Sequence, residues 1–194
     1  MSSVLGSNLL DVNDHFKKGL FFSRYLINFA LMPRIKIRIP GPSLFTTSLQ
    51  VRVTDLNYGN HLANDSVLSL CHEARVRLLY HLGLTELENE GIGLIMADSG
   101  VEYKSQASLG ETIIINVCID NIRKVGFDMY YELRTDGGRL VGRVKTGHVG
   151  FDYQKKKMVS IPAKVLEAVS ARIPNHEITK ENSPQNAVRL AEIR

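Results

Sequence analysis

A stretch of thirteen residues, TDLNYGNHLANDS at 54–66, is dense in side chains that can donate, accept or transfer protons. It holds Asp55, Asn57, Asn60, His61, Asn64 and Asp65. A carboxylate or an imidazole can take a proton from water, whereas an amide donates and accepts hydrogen bonds without useful basicity. This polarity exceeds what a simple turn needs, so the stretch is a candidate site for acid–base chemistry.

The elements on either side of this stretch are predicted to be a strand and a helix. From Leu44 to Leu56, apolar and polar residues alternate imperfectly, as in a half-buried strand. After the stretch, apolar residues recur at spacings of four, three, four and four, which form one face of a helix. These are Val67, Cys71, Ala74, Leu78 and Leu82. Gly83 is placed to end this helix, and Asn64 or Asp65 to cap its start.

The rest of the chain favours strands until a last short helix. The apolar runs lie at 91–105, 111–125, 127–135 and 140–153. Asp136–Arg139 reads DGGR and is a hairpin signal, and Ala163–Arg172 is predicted as a helix. One long buried helix followed by mainly antiparallel strands predicts an α+β fold, because a parallel α/β sheet would need more helices.

Composition is that of an ordinary globular domain. The 194 residues are 44% hydrophobic and 23% charged, and the net charge is +4. This mild positive charge suits an anionic small ligand, and no aromatic-rich basic motif indicates nucleic-acid binding. Cys71 and Cys118 lie in apolar runs and are interpreted as buried thiols without a disulfide framework, which fits a reducing compartment.

The sequence contains neither a metal-binding motif nor the nucleophile motif of α/β-hydrolases. Cys71, His72 and Glu73 are consecutive, and on a helix such side chains diverge by about 100°, so they cannot converge on one ion. No H-E-x-x-H motif and no G-x-S-x-G elbow is present. We therefore expect no metal and no cofactor.

The N-terminal region is predicted to be an extension, residues 1–40, ahead of one domain at 41–173 and a polar tail at 174–194. Its segment 16–38 is apolar with basic flanks. The segment is too short and too interrupted for a confident membrane span. It is either an interfacial membrane contact or a helix packed on protein, and we favour the packed helix.

The polar stretch and the following helix resemble hotdog-fold thioesterases of the 4-hydroxybenzoyl-CoA thioesterase type. That family carries V-R-x-x-D-x-D-x-x-G-H-x-N-N, followed by a helix with E-A-R. The matching residues here are Asp55, Asn57, His61, Asn64 and Glu73-Ala74-Arg75. VEYKSQASLGETIIINV also resembles the family's Y-x-x-P-x-x-x-G-D strand pair, so the likeness spans about 44–162. It implies a hotdog fold, with a long central helix wrapped by a curved antiparallel sheet of about five strands.

The chain departs from this family at two places: the Gly of the G-H pair is displaced, with Gly59 one residue early and Asn60 in its place, and the D-x-D pair is incomplete. The second Asp of D-x-D is the family's usual nucleophile or general base, and Asn57 stands in its place. The resemblance implies that the helix N-terminus near Ala63 and Asn64 holds the thioester carbonyl. Asn57 would then orient the attacking water. The candidates for the missing base are His61, Asp55, Asp65 and Glu73.

Several of these residues have simpler structural interpretations. Asp55 could brace the loop, and Asn64 and Asp65 could cap the helix whatever else they do. Glu73 is four residues before Arg77, a spacing that favours an ion pair on the helix surface.

Further residues are predicted to bind the substrate. Gly59 and Ala63 belong to the motif, and the resemblance places Asp98 and Ser99 on a strand that faces the helix. The candidate partners for the phosphates of CoA are Lys104, Arg123, Lys124 and Arg143. Each of these cations could instead belong to a solvated strand face.

The sequence therefore predicts a cytoplasmic acyl-CoA or acyl-carrier-protein thioesterase of lipid metabolism, with peripheral membrane contact as an open question. The resemblance implies a homodimer or a higher even oligomer, and the apolar helix and strand favour a fatty acyl group. The alternative is a binding module for acyl thioesters or lipids that has lost catalysis, and Asn57 is the reason to consider it. An Asn57→Asp variant would discriminate between the two: a gain of hydrolysis would indicate the binding module or a crippled enzyme, and no change would indicate that the base lies elsewhere.

Overall fold

The computed structural model describes residues 34–87 and 91–171. Contacts divide the chain into two units, 1–34 and 35–194, and every element below belongs to the second. Most of the apolar segment 16–38 and the whole tail at 174–194 lie outside the described residues. Within the described ranges, no helix is both long enough and apolar enough to cross a membrane.

Within residues 34–87 and 91–171, six strands and two helices follow one another in the order expected of an α+β chain. They are β1 (Phe45–Gln50), α1 (Asn64–His81), β2 (Ile92–Tyr103), β3 (Thr112–Arg123), β4 (Gly126–Thr135), β5 (Leu140–Asp152), β6 (Lys157–Val159) and α2 (Ala163–Ser170). A short 3-10 helix at Val53–Asp55 stands between β1 and α1. The α+β class is confirmed.

The strands form one curved antiparallel sheet in the order β1-β3-β4-β5-β2. The three-residue β6 pairs with the end of β5, so the sheet has six strands rather than about five. The hairpin predicted at Asp136–Arg139 joins β4 to β5, and Gly138 takes the positive φ of +83° that the turn needs. Strand β2 lies at one edge of the sheet.

Helix α1 packs its predicted apolar face into the core. Val67, Cys71, Ala74 and Leu78 are all buried, and they share one hydrophobic cluster with residues of the strands. Gly83 has a φ of +70° just after the helix, as a helix-terminating glycine should. Burial of this face is what fixes the helix, and therefore its N-terminus, against the sheet.

The predicted end of β1 and start of α1 differ from the observed ones. The predicted strand to Leu56 ends at Gln50, because the Asp55 carboxylate accepts a hydrogen bond from the Arg52 N–H at 2.8 Å and closes a helical turn there. The predicted capping by Asn64 or Asp65 was also wrong. The N-cap is Ala63, whose N–H is held by the Asp55 carbonyl at 2.8 Å, so the helix begins one residue earlier than capping chemistry suggested.

His148 on β5 is a buried titratable group whose protonation opposes folding. It is 2% exposed, and burial, with a further contribution from Arg75, lowers its pKa to about 3. The unfolded chain therefore binds a proton as the pH falls through about 6.5, while the folded chain does so only near pH 3. The free energy of unfolding therefore decreases as the pH falls through the window from about 6.5 to about 3.

We expect the free energy of unfolding to fall by about 3 kcal/mol between pH 7 and pH 4 because of His148, since each unit inside the window costs about 1.4 kcal/mol. Denaturant unfolding at the two pH values measures this loss. The His148→Gln variant should not show this pH-dependent loss of stability. The His81→Gln variant, changed at an exposed position, should still show it. Equal pH dependence of wild type and His148→Gln would contradict the expectation.

Candidate active site

A cavity of about 280 Å³ lies where the polar stretch, the start of α1 and the chain after β2 meet. Its walls are Asn57, His61, Leu62, Asn64, Val67, Tyr103, Lys104, Ser105, Gln106, Ala107 and Val141. The Leu62 N–H donates to the Ala107 carbonyl at 2.8 Å and fastens the stretch to the segment after β2. Local sequence and long-range pairing thus combine to place the motif around one cavity.

Asn57 holds the turn with its side-chain oxygen. Its Oδ1 accepts hydrogen bonds from the N–H groups of Gly59 at 2.8 Å and His61 at 3.3 Å. Because both partners are donors, the amide oxygen must face the turn, and the Nδ2 group occupies the other branch of the side chain. A family Asp would keep one oxygen on the turn and present its second oxygen where Nδ2 stands here.

His61 is the only imidazole among the described residues that line this cavity. Its Nδ1 is buried and has no hydrogen-bond partner in the described part of the protein. A buried ring nitrogen without a partner is unfavourable until water or a ligand hydrogen-bonds to it. The imidazole therefore lies in the cavity wall with one ring nitrogen buried and without a partner in the described structure.

In the described part of the chain, the start of α1 leaves backbone donors without a partner beside the cavity. Ala63 has no side-chain oxygen, so no side chain caps the helix, and the first backbone bond within it runs from Val67 N–H to the Ala63 carbonyl at 3.2 Å. The N–H groups of Asn64 and the two residues after it precede that bond. With the partial positive charge of the helix N-terminus, they can hold a carbonyl or oxyanion.

Tyr103 at the end of β2 braces this helix start from outside the polar stretch. Its hydroxyl donates to the Asn64 carbonyl at 3.1 Å. Burial, and then the charge of Asp65, raises the pKa of Tyr103 above its ordinary value, so the phenol stays neutral and keeps donating. The tyrosine of the Y-x-x-P pattern was the signal in the sequence that could have identified it.

The predicted carboxylates lie elsewhere. Asp55 is engaged with the Arg52 N–H, and Asp65 is exposed in the first turn of α1. Glu73 pairs with Arg77 at 2.8 Å on the helix surface. None of the three lines the cavity. His61 is thus the one member of the predicted set of bases that the structure brings to the site.

The residues predicted to bind substrate are scattered. Lys104 lines the cavity and pairs with Glu102 at 2.6 Å. Ala63 and Gly59 belong to the loop beside it, where a Cβ on Gly59 would lie 3.2 Å from Asn57 Oδ1.

Five further predicted residues lie outside the cavity lining, and one of them, Arg143 on β5, pairs with Glu132 at 3.1 Å. Asp98 and Ser99 lie on the edge strand β2, where Asp98 pairs with Lys145 at 2.7 Å. Arg123 and Lys124 stand at the turn between β3 and β4. In the described part of the chain, no three His, Cys, Asp or Glu side chains converge where a metal ion could bind.

The sequence of residues 51–169 matches the family model of the thioesterase-like superfamily. The chain belongs to this superfamily. The matched region runs from just before the polar stretch to α2, so it includes every residue that lines the cavity. A search of curated sequences found no significant match.

Solved structures share the fold of this superfamily member. A 1,4-dihydroxy-2-naphthoyl-CoA thioesterase from Synechocystis is 22% identical, with a TM-score of 0.61 over 65% of this chain and 95% of that one. A DHNA-CoA thioesterase from Staphylococcus aureus is 18% identical, with a TM-score of 0.61 over 65% and 88%. A third protein, from Staphylococcus aureus and solved in complex with CoA, is 16% identical, with a TM-score of 0.62 over 75% and 94%. The resemblance to hotdog-fold thioesterases is confirmed.

Proposed function

We propose that this protein hydrolyses the thioester of an acyl-CoA or acyl-carrier protein, without a metal or other cofactor. The observation that carries the proposal is the uncapped N-terminus of α1, which faces a cavity that also contains His61. Oxyanion donors and a proton acceptor are the two groups that water attack on a thioester requires. Membership of the thioesterase-like superfamily supports the same class of reaction.

The reaction would proceed by attack of water on the thioester carbonyl carbon. His61 takes a proton from the water as the new C–O bond forms, and the Asn64 N–H with the helix N-terminus stabilises the oxyanion. When the tetrahedral intermediate collapses, the C–S bond breaks. The thiolate leaves with the proton that His61 returns, and the products are a carboxylic acid and a free thiol.

Asn57 and Lys104 would orient the reactants. The Asn57 oxygen is engaged with two backbone donors, so the side chain meets the cavity as a donor through Nδ2. It can hold the oxygen of the attacking water and leave the water's protons to the base. Lys104 at the cavity wall suits the anionic carrier of the acyl group.

Release of free thiol from short, long and aromatic acyl-CoAs by the purified protein tests the proposal. Turnover with a clear preference among the acyl groups supports hydrolysis. The second candidate, a binding module that has lost catalysis, is favoured by the lack of any carboxylate in the described lining of the cavity. Saturable binding of one acyl-CoA with no turnover on any would establish it.

We expect Asn57→Asp to raise kcat by no more than about threefold, because the base is already supplied by His61. Any change should be a decrease, because the Nδ2 donor that holds the attacking water is lost. Thiol release by wild type and variant measures the change. Asn60→Asp is the matched control, since it adds the same charge to the same turn but Asn60 does not line the cavity. An inactive wild type that gains hydrolysis only through Asn57→Asp would show that the binding module is the correct assignment.

We further propose that the protein is a homodimer, with α1 as the central helix of each subunit. Strand β2 is twelve residues long and lies at the sheet edge, where Met96 is 48% exposed. An unpaired edge of this kind favours pairing with a second copy through a two-fold axis. A cytoplasmic location remains part of the proposal.

A further inference from the structure

A second cavity, of about 170 Å³, lies between α1 and the strands β2, β4 and β5. Polar groups on its walls include His72 and Arg75 from the helix and Tyr131 and Thr146 from the sheet. None of them belongs to the proposed hydrolytic site. Arg75, Tyr131 and Thr146 are buried, at 8%, 0% and 2% exposure, which is rare for an arginine without a strong reason.

Arg75 brings more hydrogen-bond donors than its partner uses. A guanidinium carries five N–H donors, and in the described structure only Nε is engaged, with Glu86 at 2.5 Å. Glu86 also pairs with His72 at 3.1 Å. The remaining Arg75 donors belong to a buried side chain that lines the cavity.

Tyr131 adds a hydroxyl with two neighbouring acceptors. Its O–H can donate to the thioether sulfur of Met129 at 3.2 Å or to the Thr146 hydroxyl at 3.3 Å. The Thr146 hydroxyl in turn lies 2.7 Å from His148 Nε2. A thioether is a poor acceptor and the hydroxyl contact is long, so the phenol proton can turn to a better acceptor that enters the cavity. The Arg75 donors that have no partner in the described structure line the same cavity, which suits an acceptor-rich ligand.

We propose that this cavity binds a carboxylate at the far end of the acyl group, with Arg75 and Tyr131 as its donors. Arginine and a phenol are the pair of donors that recognises a carboxylate most strongly, by charge and by geometry. The inference rests on the proposed function. It replaces the expected simple fatty acyl group with an acyl group that ends in a carboxylate.

The two cavities lie along one helix. The first involves Asn64 and Val67, and the second begins at Leu68 and extends to Arg75. At a rise of 1.5 Å per residue, their midpoints are roughly 9 Å apart along the helix axis. A substrate that reached from one cavity to the other would carry a thioester at one end and a carboxylate at the other. His72 lines the second cavity and pairs with Glu86, which lies outside its lining.

The test compares acyl-CoAs matched in carbon number: succinyl with butanoyl, glutaryl with pentanoyl, and adipoyl with hexanoyl. With the full chain, kcat/KM should be at least about tenfold higher for the carboxylate member of the best pair. Tyr131→Phe should remove most of that preference by lowering kcat/KM for the carboxylate-ended substrates. Tyr130→Phe is the matched control, because the adjacent side chain points to the opposite face of the sheet and contacts Asn121.

Calorimetric titration of glutarate into the same proteins provides a readout that needs no hydrolysis. Wild type and Tyr130→Phe should bind glutarate, and Tyr131→Phe should bind it about tenfold more weakly. A second variant, Arg75→Gln with Glu86→Gln, removes the two paired charges together, so that neither is left buried alone. It should abolish glutarate binding.

The outcomes separate the two proposals. Turnover without a carboxylate preference, and no glutarate binding, would overturn the carboxylate cavity and leave the hydrolase standing. Glutarate binding that Tyr131→Phe weakens, without turnover of any acyl-CoA, would support the cavity and overturn the hydrolase. Unchanged binding and preference in both variants would place the carboxylate elsewhere and overturn the inference.

Discussion

Replacement of His61 by glutamine is expected to lower kcat for acyl-thioester hydrolysis by about 10² to 10⁴-fold, the contribution of a well-placed general base. Glutamine keeps much of the volume and polarity of the ring but cannot take a proton from water. The folded state should survive the change, because the Nδ1 atom of His61 has no hydrogen-bond partner in the described structure to lose. Single-turnover and steady-state thiol release measure the loss.

His81→Gln provides the control for the loss of a histidine. His81 lies at the opposite end of α1 from the cavity, so its replacement should leave kcat within about twofold of wild type. Denaturant unfolding of both variants checks that each is folded. Wild-type kcat in His61→Gln would show that the base is not His61 and would return attention to a carboxylate outside the cavity, such as one from a partner subunit.

The helix and the sheet were predictable because their signals are periodic and repeated. The apolar face of α1 and the DGGR hairpin each depend on several residues that agree, so local sequence determined them. The boundary at Ala63 was not predictable in this way. It depends on hydrogen bonds to Asp55 and Ala107, and the second of these comes from a part of the chain more than forty residues away.

The sequence predicted which motif forms the candidate site, but not how its side chains are arranged in space. The motif brought His61, Asn57 and Asn64 to the cavity, whereas it also nominated Glu73, which the structure pairs with Arg77. A carboxylate and an amide look equally polar in a sequence. Only the three-dimensional loop shows that the Asn57 oxygen is occupied by backbone donors, because that depends on how the turn closes.

The N-cap residue of α1, Ala63, has no side chain that can cap the helix, which lowers stability. The proposed chemistry explains why. Helices commonly begin with a residue whose side chain accepts from the first N–H groups, and Ala63 cannot do this. An N-terminus left uncapped keeps its donors for a substrate oxygen. The chain therefore gives up stability at a position where a capping side chain would compete with the oxyanion.

Ala63→Thr should accordingly stabilise the protein and impair the reaction. The threonine hydroxyl can accept from an N–H of the first turn, and the extended backbone of residue 63 (φ −68°, ψ 153°) suits a capping residue. Relative to Ala63→Val, which has the same shape without the hydroxyl, we expect about 1 kcal/mol more stability. We also expect kcat to be lower than in the valine variant by about tenfold or more, because one oxyanion donor is engaged.

The comparison between threonine and valine isolates the hydroxyl from the added volume. Denaturant unfolding gives the difference in stability, and thiol release gives the difference in kcat. A substrate held only by shape would lose the same activity in both variants, because the two side chains have the same shape. A threonine variant that is more stable than the valine variant yet equally active would show that the N-terminus of α1 does not hold the oxyanion, and the hydrolytic role of this helix end would have to be abandoned.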